Sequence, residues 1–458
     1  MTTVSYDVAI VGAASAGSYF ARKMAQQGFK VLLIDRLSYE RIGTKYDIFH
    51  VPAESFQQYG LPRPQEGDPD FGFTFDDTVA HSPSLKWARC SENHVVGMHM
   101  HPYMQRLNRW AAEAGAEVVY EASFRRLRFD EDGKVCGLVY EKDGTEVSVQ
   151  ANLVADCSGI PAVARRSLPD DCVVENFALA PESMYHVRLR YAVYRQPKEA
   201  RVVSCNWRHY GVWEAPSGNP SGSILGAAAK SSYEAAQKVF ARFDRCVPMP
   251  EYYIEKEEKG LTPYCRTPYS MVCDGFVSMG DTACINRING EGVTFALVQS
   301  DIAIEVVTPY LKAGKRPTTE ALWPINKRYN TVQGAAFAAQ KASQLAKPTW
   351  STSEDEYVYL TDVFRYGPQL AGSAYGKPLN LSSEEKQAIR TQAIEEGGLA
   401  PEKVDQQLLC TDNADAILLH YLNYPETPEG FDDWCREANR LWSICPGAGA
   451  PRKISGEA

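Results

Sequence analysis

The sequence lacks the features that mark membrane-spanning or nucleic-acid-binding proteins. No uninterrupted apolar run approaches the roughly 18 residues that a membrane-spanning helix needs, although this leaves peripheral membrane contact open. No dense basic block occurs, and 57 acidic residues outnumber 48 basic residues, for a formal net charge of -9. A nucleic acid is therefore not the expected main partner, and a small-molecule substrate is.

Closely spaced cysteine pairs are also missing. Twelve cysteines are scattered singly and no C-x-x-C occurs, so neither a zinc knuckle nor a thioredoxin-like pair is encoded locally. The histidines at positions 94, 99 and 101 lack the carboxylate spacing of a metal set, and we expect no metal site. The start, MTTVSYDVAIVG, has no secretory signal features. Together with the unpaired thiols, this favours a cytoplasmic protein.

The amino-terminal stretch predicts a βαβ unit that binds a dinucleotide. YDVAIVG indicates a buried strand, SYFARKMAQQG a helix, and KVLLIDR a second strand that ends in an acid. In the loop VGAASAGS, Gly12 would form the tight turn, Gly17 would allow close helix packing, and Asp35 would bind ribose hydroxyls. Ala14 replaces the middle glycine of the pattern by one methyl group. The motif alone leaves NAD, FAD and a unit without a ligand as alternatives.

Two later stretches decide between these alternatives. LVADCSG, residues 153 to 159, indicates a strand followed by a turn, and GFVSMGDTACINRINGEGVTFALVQSDIAIEVV indicates a strand, a Gly-Asp turn, a glycine loop and a helix. Together with the first loop they resemble the glutathione-reductase-type FAD fold shared by aromatic hydroxylases, flavin halogenases and geranylgeranyl reductases. YERIGTKYD, HYGVWEAP and NGEG are most similar to the geranylgeranyl reductase group. The resemblance covers roughly residues 4 to 330.

The resemblance implies that FAD is the cofactor. Asp281 would accept a hydrogen bond from a ribityl hydroxyl, and the N-terminus of the following helix would stabilise negative charge on the reduced flavin. Arg106 would substitute for an arginine that relatives carry at the start of an earlier helix, with His99 and His101 as neighbouring candidates. A Gly-Asp turn with purely structural glycines is the alternative. The implied cofactor-binding residues are Gly12, Ala14, Ser15, Ala16, Gly17, Asp35, Arg36, Lys45, Arg106, Asp156, Gly159, Gly280, Asp281, Gly290, Glu291, Gly292 and Val293.

The chain departs from the family pattern where the flavin ring is expected. Relatives carry a cysteine-glycine pair in the region of KYDIFH, where this sequence has Tyr46, Asp47 and His50. These three side chains are the candidates for delivering or accepting a proton. In the late loop, Arg287 is a candidate for stabilising reduced flavin or binding an acidic substrate.

We expect an α/β protein in which a Rossmann-like FAD-binding domain is joined to an antiparallel β-sheet substrate domain and a helical C-terminal region. In the substrate domain, Tyr210 and Trp213 resemble part of a reductase motif and are candidates for substrate binding, with core aromatics as the alternative. The last residues, PRKISGEA, suggest a frayed terminus. The FAD-binding segments are 1–75, 96–175 and 271–330, the substrate-domain segments are 76–95 and 176–270, and the helical region is 331–458.

The expected function is an FAD-dependent oxidoreductase that reduces or desaturates a carbon-carbon double bond of a hydrophobic or conjugated small molecule. An aromatic hydroxylase-like monooxygenase and an electron-relay flavoprotein are the alternatives. No second glycine-rich nucleotide motif is evident, so NAD(P)H, ferredoxin and another flavoprotein are all candidate electron donors. The sequence does not indicate an oligomeric state.

Overall fold

Two eight-stranded sheets form the centre of the protein. The computed structural model describes residues 4–45, 47–196, 203–286, 292–364 and 377–454. The first sheet has the order β15-β16-β9-β1-β2-β6, and a β7–β8 hairpin extends from β9. Its strands are β1 Val4–Val11, β2 Val31–Ile34, β6 Glu117–Val119, β7 Ser123–Phe129, β8 Val135–Lys142, β9 Thr145–Asp156, β15 Val272–Cys273 and β16 Phe276–Ser278.

The central strand β1 is buried on both faces. Val8 and Ile10 belong to one hydrophobic cluster, whereas Ala9 and Val11 belong to the cluster on the opposite face. Such burial is typical of a parallel strand covered on both sides, and β1 pairs in parallel with β2 and β9. The predicted βαβ unit is therefore present, with its helix on the face that carries Val8.

The second sheet is antiparallel except for one parallel pair, β4 with β11. It has the order β14-β10-β13-β12-β11-β4-β5-β3. In chain order the sheet begins with β3, β4 and β5, which lie between residues 48 and 99. The excursion expected from the sequence was the shorter range 76–95. The strands are β3 Ile48–Pro52, β4 Phe71–His81, β5 Ala88–His99, β10 Met184–Tyr194, β11 Val203–Trp207, β12 Val212–Pro216, β13 Gly222–Lys230 and β14 Tyr252–Pro263.

Helices cover both sheets and form the C-terminal region. They confirm the expected combination of an FAD-type α/β domain, a largely antiparallel sheet and a helical end. None of the helices in the described ranges combines the length and hydropathy needed to cross a bilayer. The helices are α1 Ser15–Gln26, α2 Glu54–Tyr59, α3 Met100–Glu113, α4 Tyr233–Cys246, α5 Gly292–Lys312, α6 Thr319–Tyr329, α7 Ala335–Ala346, α8 Thr352–Thr361, α9 Ser383–Thr391, α10 Pro401–Leu422 and α11 Phe431–Trp442.

The two faces of the second sheet have different roles. On the outer face, Phe240 and Phe243 of α4 pack on strand residues such as Leu225. The inner face carries a separate apolar cluster that includes Phe73, Phe75, Leu189, Tyr191 and Ile224. These side chains are buried and lie on the face of the sheet opposite to α4.

The C-terminal segment is packed rather than frayed as far as residue 454. The Ile454 side chain is buried in the main core, and the Arg452 guanidinium donates to the carbonyl of Val173 at 2.7 Å. The expectation of a frayed end from residue 451 was wrong for this part, because an apolar side chain and a paired arginine anchor it. Residues 455–458 lie outside the described part of the chain.

Candidate functional site

The loop after β1 is closed by two glycines that admit no side chain. Gly12 has a φ of +102°, and a Cβ there would lie 2.4 Å from the carbonyl oxygen of Cys157, the residue that follows the neighbouring strand β9. A Cβ on Gly17 would lie 1.9 Å from the Gly12 carbonyl oxygen. Both glycines therefore bring backbones together, as the motif predicts.

Ala14 tolerates its methyl group because it does not need a glycine conformation. Its φ is -78°, in the region open to all residues, and its side chain is exposed. It precedes α1, whose first turn has neither a side-chain cap nor an acidic residue. The amide groups of this turn, which includes Ser15 and Ala16, form the kind of positive helix end that binds phosphate groups.

Asp35 lies at the rim of the same loop. Its two carboxylate oxygens accept hydrogen bonds from the amides of Ala13 at 2.8 Å and Leu37 at 2.9 Å. A carboxylate retains further lone pairs for ribose hydroxyls. Asn108 of α3, which the sequence reading missed, donates to the Ala13 carbonyl at 2.8 Å. A polar residue on the buried face of an amphipathic helix was the only available signal.

Asp156 has a structural task at the end of β9. The buried carboxylate accepts hydrogen bonds from the amides of Ser158 at 3.0 Å, Ala164 at 3.0 Å and Arg165 at 2.7 Å. Gly159 lies within this turn at a φ of +74°. The two residues shape the turn beside the dinucleotide loop, and direct cofactor contact by either one stays a prediction.

The second part of the candidate site follows β16. Gly280 has a φ of +68°, and its amide donates to Gln299 Oε1 of α5 at 2.9 Å. A Cβ on Gly292, the first residue of α5, would lie 3.5 Å from Asp281 Oδ1, so this carboxylate adjoins the start of the helix. Burial raises the pKa of Asp281, and the ammonium groups of Lys45 and Lys341 oppose that rise.

Three polar atoms around this segment are buried without a hydrogen-bond partner among the residues that the structure describes. They are Thr282 Oγ1, Asn286 Oδ1 and Thr294 Oγ1. Because buried polar groups in native proteins are almost always hydrogen-bonded, such a group of unpaired atoms fits a ligand that carries hydroxyl, carbonyl and ring nitrogen groups. The ribityl chain and flavin ring of FAD have this chemistry.

Lys341 of α7 holds the backbone that follows Asp281, and the sequence did not predict this role. Its buried ammonium group donates to the carbonyls of Cys265 at 2.9 Å and Cys284 at 2.6 Å. Cys284 has a φ of +54°, a conformation that side chains rarely adopt. The lysine thus fixes an unusual turn three residues after Asp281.

A polar network lies where the second sheet meets α3. His99, at the end of β5, has Nδ1 2.9 Å from Asp47 Oδ1, and Lys256 Nζ lies 3.1 Å from Asp47 Oδ2. Lys256 also pairs with Glu258 at 2.6 Å, and the Tyr191 hydroxyl donates to Glu258 at 2.9 Å. Partial burial opposes ionisation of Asp47, but the bonds from His99 and Lys256 outweigh it and lower the pKa of Asp47.

His50 joins the aromatic inner face of the second sheet. It pairs across from Gly97 on β5, and its ring lies 5.9 Å from that of Phe75. A Cβ on Gly97 would lie 2.4 Å from the Phe73 ring, so Phe73 covers this glycine. The structure therefore brings His50 to the apolar face and Asp47 to its polar end.

The two candidate substrate-binding aromatics lie on opposite faces. Trp213 is on the inner face. Its indole covers Gly226, because a Cβ on Gly226 would lie 2.1 Å from the ring. Tyr210 is buried on the α4 side, and its hydroxyl donates to the Pro83 carbonyl at 2.9 Å. Tyr210 ends the 3-10 turn Arg208–Tyr210 between β11 and β12 and packs on the α4 side as a core aromatic, whereas Trp213 stays a candidate for substrate binding on the inner face.

The remaining predicted residues are placed less centrally. Arg36 is exposed directly after Asp35, and Lys45 is exposed but close enough to act electrostatically on Asp281. Arg106 is engaged by two carboxylates, Asp68 at 3.0 Å and Asp70 at 2.6 Å, so a cofactor contact by it would compete with this ion pair. Val293 follows Gly292 in the first turn of α5. Tyr46, Arg287, Gly290 and Glu291 lie outside the described residues.

Comparisons with known proteins support the FAD-binding fold and FAD as the cofactor. Residues 5–210 match a family model described as FAD binding domain. Over 96% of its length the chain is 23% identical to the digeranylgeranylglycerophospholipid reductase of Sulfolobus acidocaldarius, of which it covers 98%. A geranylgeranyl bacteriochlorophyll reductase-like protein from Thermoplasma acidophilum shares the fold at a TM-score of 0.65 and 16% identity, over 88% of this chain and 100% of that one. A flavin-dependent brominase superposes at a TM-score of 0.61 and 17% identity, over 89% and 99% of the two chains.

Proposed function

We propose, from the premise that this chain is an FAD-dependent oxidoreductase resembling the geranylgeranyl reductases, that it reduces a carbon-carbon double bond of a hydrophobic, isoprenoid-like small molecule. The observation that carries the proposal is the aromatic inner face of the second sheet, which ends in the polar network around His99. The similarity over nearly the whole length of a lipid reductase supports the same class of substrate.

The residues that would hold FAD form two groups. The α1 N-terminus after Gly12 would bind the diphosphate, and Asp35 would bind the adenosine ribose. Asp281, together with the N-terminal amides of α5 at Gly292 and Val293, would bind the ribityl chain and the pyrimidine side of the ring. Bound FAD supplies two-electron hydride chemistry that no side chain can provide.

The substrate would lie along the inner face. Phe73, Phe75, Leu189 and Ile224 present aromatic and aliphatic groups there, and Trp213 lies at the same surface. Burying an apolar chain against such a surface contributes roughly 25 cal/mol per Å². This chain's own residues would thereby orient the alkene and exclude water from the reacting atoms.

A hydroxylase on the same fold would use these residues differently. It would consume oxygen and add a hydroxyl group, whereas a reductase would add two hydrogens in the absence of oxygen. The fold similarity to a brominase does not separate these reactions. The electron donor in either case remains to be chosen among NAD(P)H, ferredoxin and another flavoprotein.

One anaerobic experiment tests the proposal. The purified protein is loaded with FAD, reduced with dithionite and mixed with digeranylgeranylglycerophospholipid, and reoxidation is followed at the flavin absorbance band while the product is analysed by mass spectrometry. We expect reoxidation with a gain of two hydrogens per double bond reduced. In a parallel aerobic run, reoxidation that requires oxygen and gives a hydroxylated lipid would replace the reductase by a hydroxylase. A protein that binds no FAD would overturn both.

A further inference from the structure

The pair of His99 and Asp47 has the arrangement of an oriented acid-base group. Asp47 Oδ1 lies 2.9 Å from His99 Nδ1, which fixes the imidazole ring and leaves Nε2 as its second functional nitrogen. Nε2 faces the β12–β13 loop, where a Cβ on Gly218 would lie 3.3 Å away. A Cβ at this distance would be tighter than an ordinary van der Waals contact, so the glycine relieves crowding on this side of the ring.

The position of the pair connects the dinucleotide loop with the apolar inner face of the second sheet. His99 directly precedes α3, and the amide of Met100 donates to the Asp47 carbonyl at 2.6 Å. Farther along the same helix, Asn108 holds the dinucleotide loop through Ala13. On the other side, His99 pairs across from Ile48 at the inner face of the second sheet. Helix α3 therefore fixes the imidazole relative to both the cofactor loop and the apolar surface.

Charged groups surround the pair from two directions. Asp47 comes from the segment before β3, while Lys256 and Glu258 come from β14. On α3, His101 turns its Nδ1 to the Ile42 carbonyl at 2.6 Å and away from this network. The β12–β13 loop, SGNPS, brings no titratable side chain. The side chains of His99 and Asp47 are 31% and 36% exposed, so protons can be replenished from water.

We infer that His99 is the catalytic acid of the proposed double-bond reduction and that Asp47 is its positioning residue. This inference rests on the proposed function. Bound FAD, in its reduced form, would supply the hydride for one alkene carbon, and His99 Nε2 would donate the proton to the other. The Nε2–H bond breaks as the second C–H bond forms, and water reprotonates the neutral imidazole. Asp47, a candidate proton donor from the sequence, instead holds the ring.

The test compares His99→Gln and Asp47→Asn with a matched control, His94→Gln. His94 lies on the same strand and has the same 2.9 Å contact with an aspartate, Asp76, but its side chain is 60% exposed. Each variant is loaded with FAD, and its absorbance spectrum and thermal melt establish that it is folded. The reduced enzymes are then mixed anaerobically with digeranylgeranylglycerophospholipid from pH 5 to pH 8.

We expect His99→Gln to slow lipid-dependent reoxidation by about 10²- to 10³-fold and to remove its pH dependence in this range. Asp47→Asn should slow it by about 10-fold or more, and His94→Gln should stay within about twofold. A readout independent of turnover is the downfield proton signal of the bonded His99 Nδ1–H in the NMR spectrum, which both site variants should lose and His94→Gln should keep.

The outcomes separate the two proposals. If the wild-type enzyme reduces the lipid and His99→Gln matches its rate and pH profile, His99 is not the acid and the proposed function stands. If the wild-type enzyme leaves the lipid unreduced, the proposed function fails and the assignment of His99 fails with it. Loss of the Nδ1–H signal in His99→Gln but not in Asp47→Asn would overturn the positioning role.

Discussion

Lys256 Nζ lies 3.1 Å from Asp47 Oδ2, although their segments belong to opposite ends of the same eight-stranded sheet. Strand β14, which carries Lys256, is the first in the sheet order, and β3, which follows Asp47, is the last. The amide of Asp47 also donates to Glu258 at 3.1 Å. The sheet therefore curls until its edges meet through side chains, with the aromatic inner face on the concave side.

The first prediction concerns the contact between the two sheet edges, which Lys256 and Glu258 of β14 make with Asp47. Lys256→Met should lower the free energy of unfolding by about 1 to 2 kcal/mol, because the Glu258 side chain, only 10% exposed, loses its cation. Lys238→Met on α4 is the control, since its pair with Glu234 is about 80% exposed on both sides and should contribute about 0.5 kcal/mol or less. Equal urea midpoints for the two variants would show that the contact of Lys256 with the opposite sheet edge does not stabilise the fold.

The second prediction separates backbone strain from steric contact in the dinucleotide loop. Gly12 and Gly115 have φ values of +102° and +104°, but nothing lies within 4 Å of a Cβ on Gly115. Gly115→Ala should cost about 1 to 3 kcal/mol from strain alone. Gly12→Ala should cost more and abolish FAD retention, because the added methyl meets the Cys157 carbonyl. Thermal melts and FAD fluorescence titrations measure both effects, and similar values for the two variants would argue against close packing.

The third prediction concerns the inner face. Trp213→Ala should raise the KM for digeranylgeranylglycerophospholipid at least about 10-fold, because it removes a large apolar surface from the proposed binding face. Tyr210→Phe should leave turnover within about twofold and cost roughly 1 kcal/mol of stability, since it only removes the hydroxyl bond to Pro83. Steady-state kinetics of both variants provide the check, and the reverse ranking would place the substrate on the other face.

The fourth prediction concerns acid stability. Glu175 accepts two bonds from the buried Arg266 guanidinium, at 2.5 and 2.9 Å, and Arg266 also holds the C-terminal segment through the Ala450 carbonyl at 2.7 Å. Burial works against ionisation of Glu175, but Arg266 outweighs it, so the pKa of Glu175 is lowered. Its contribution is complete above the ordinary glutamate pKa of about 4.3 and is lost as pH falls through the lowered folded value.

Glu175→Gln should therefore destabilise the protein by about 3 to 5 kcal/mol at pH 7, because a buried guanidinium loses its counter-charge. Because glutamine does not titrate, the variant should also lose less stability than the wild type as the pH falls below about 4.3. Urea unfolding between pH 3 and pH 7 tests both effects. Glu146→Gln, at the exposed ion pair with Arg126, is the control and should change stability little. If the unfolding free energy of Glu175→Gln falls toward low pH as steeply as that of the wild type, Glu175 is not the source of this pH dependence.

The local parts of the FAD-type unit could be predicted from the sequence. Gly12, Gly17 and Asp35 lie within one strand-loop-helix-strand segment, so their spacing alone implies their geometry. The tolerance of Ala14 could not be read in the same way, since it depends on a φ of -78°, in contrast to the φ of +102° at Gly12. Tyr210 shows a further limit, because a motif cannot indicate which face of a curled sheet a residue joins.

By itself, the sequence determined the dinucleotide-type βαβ unit, the mainly antiparallel second sheet and the helical end, because each depends on periodicity and turn chemistry within short segments. Only the tertiary structure decided which distant side chains meet. Lys256 and Asp47 are 209 positions apart, His99 and Asp47 are 52 apart, and Lys341 reaches Cys284 across 57. These contacts arise from the curl of a sheet and the docking of helices, which depend on the packing of the whole chain.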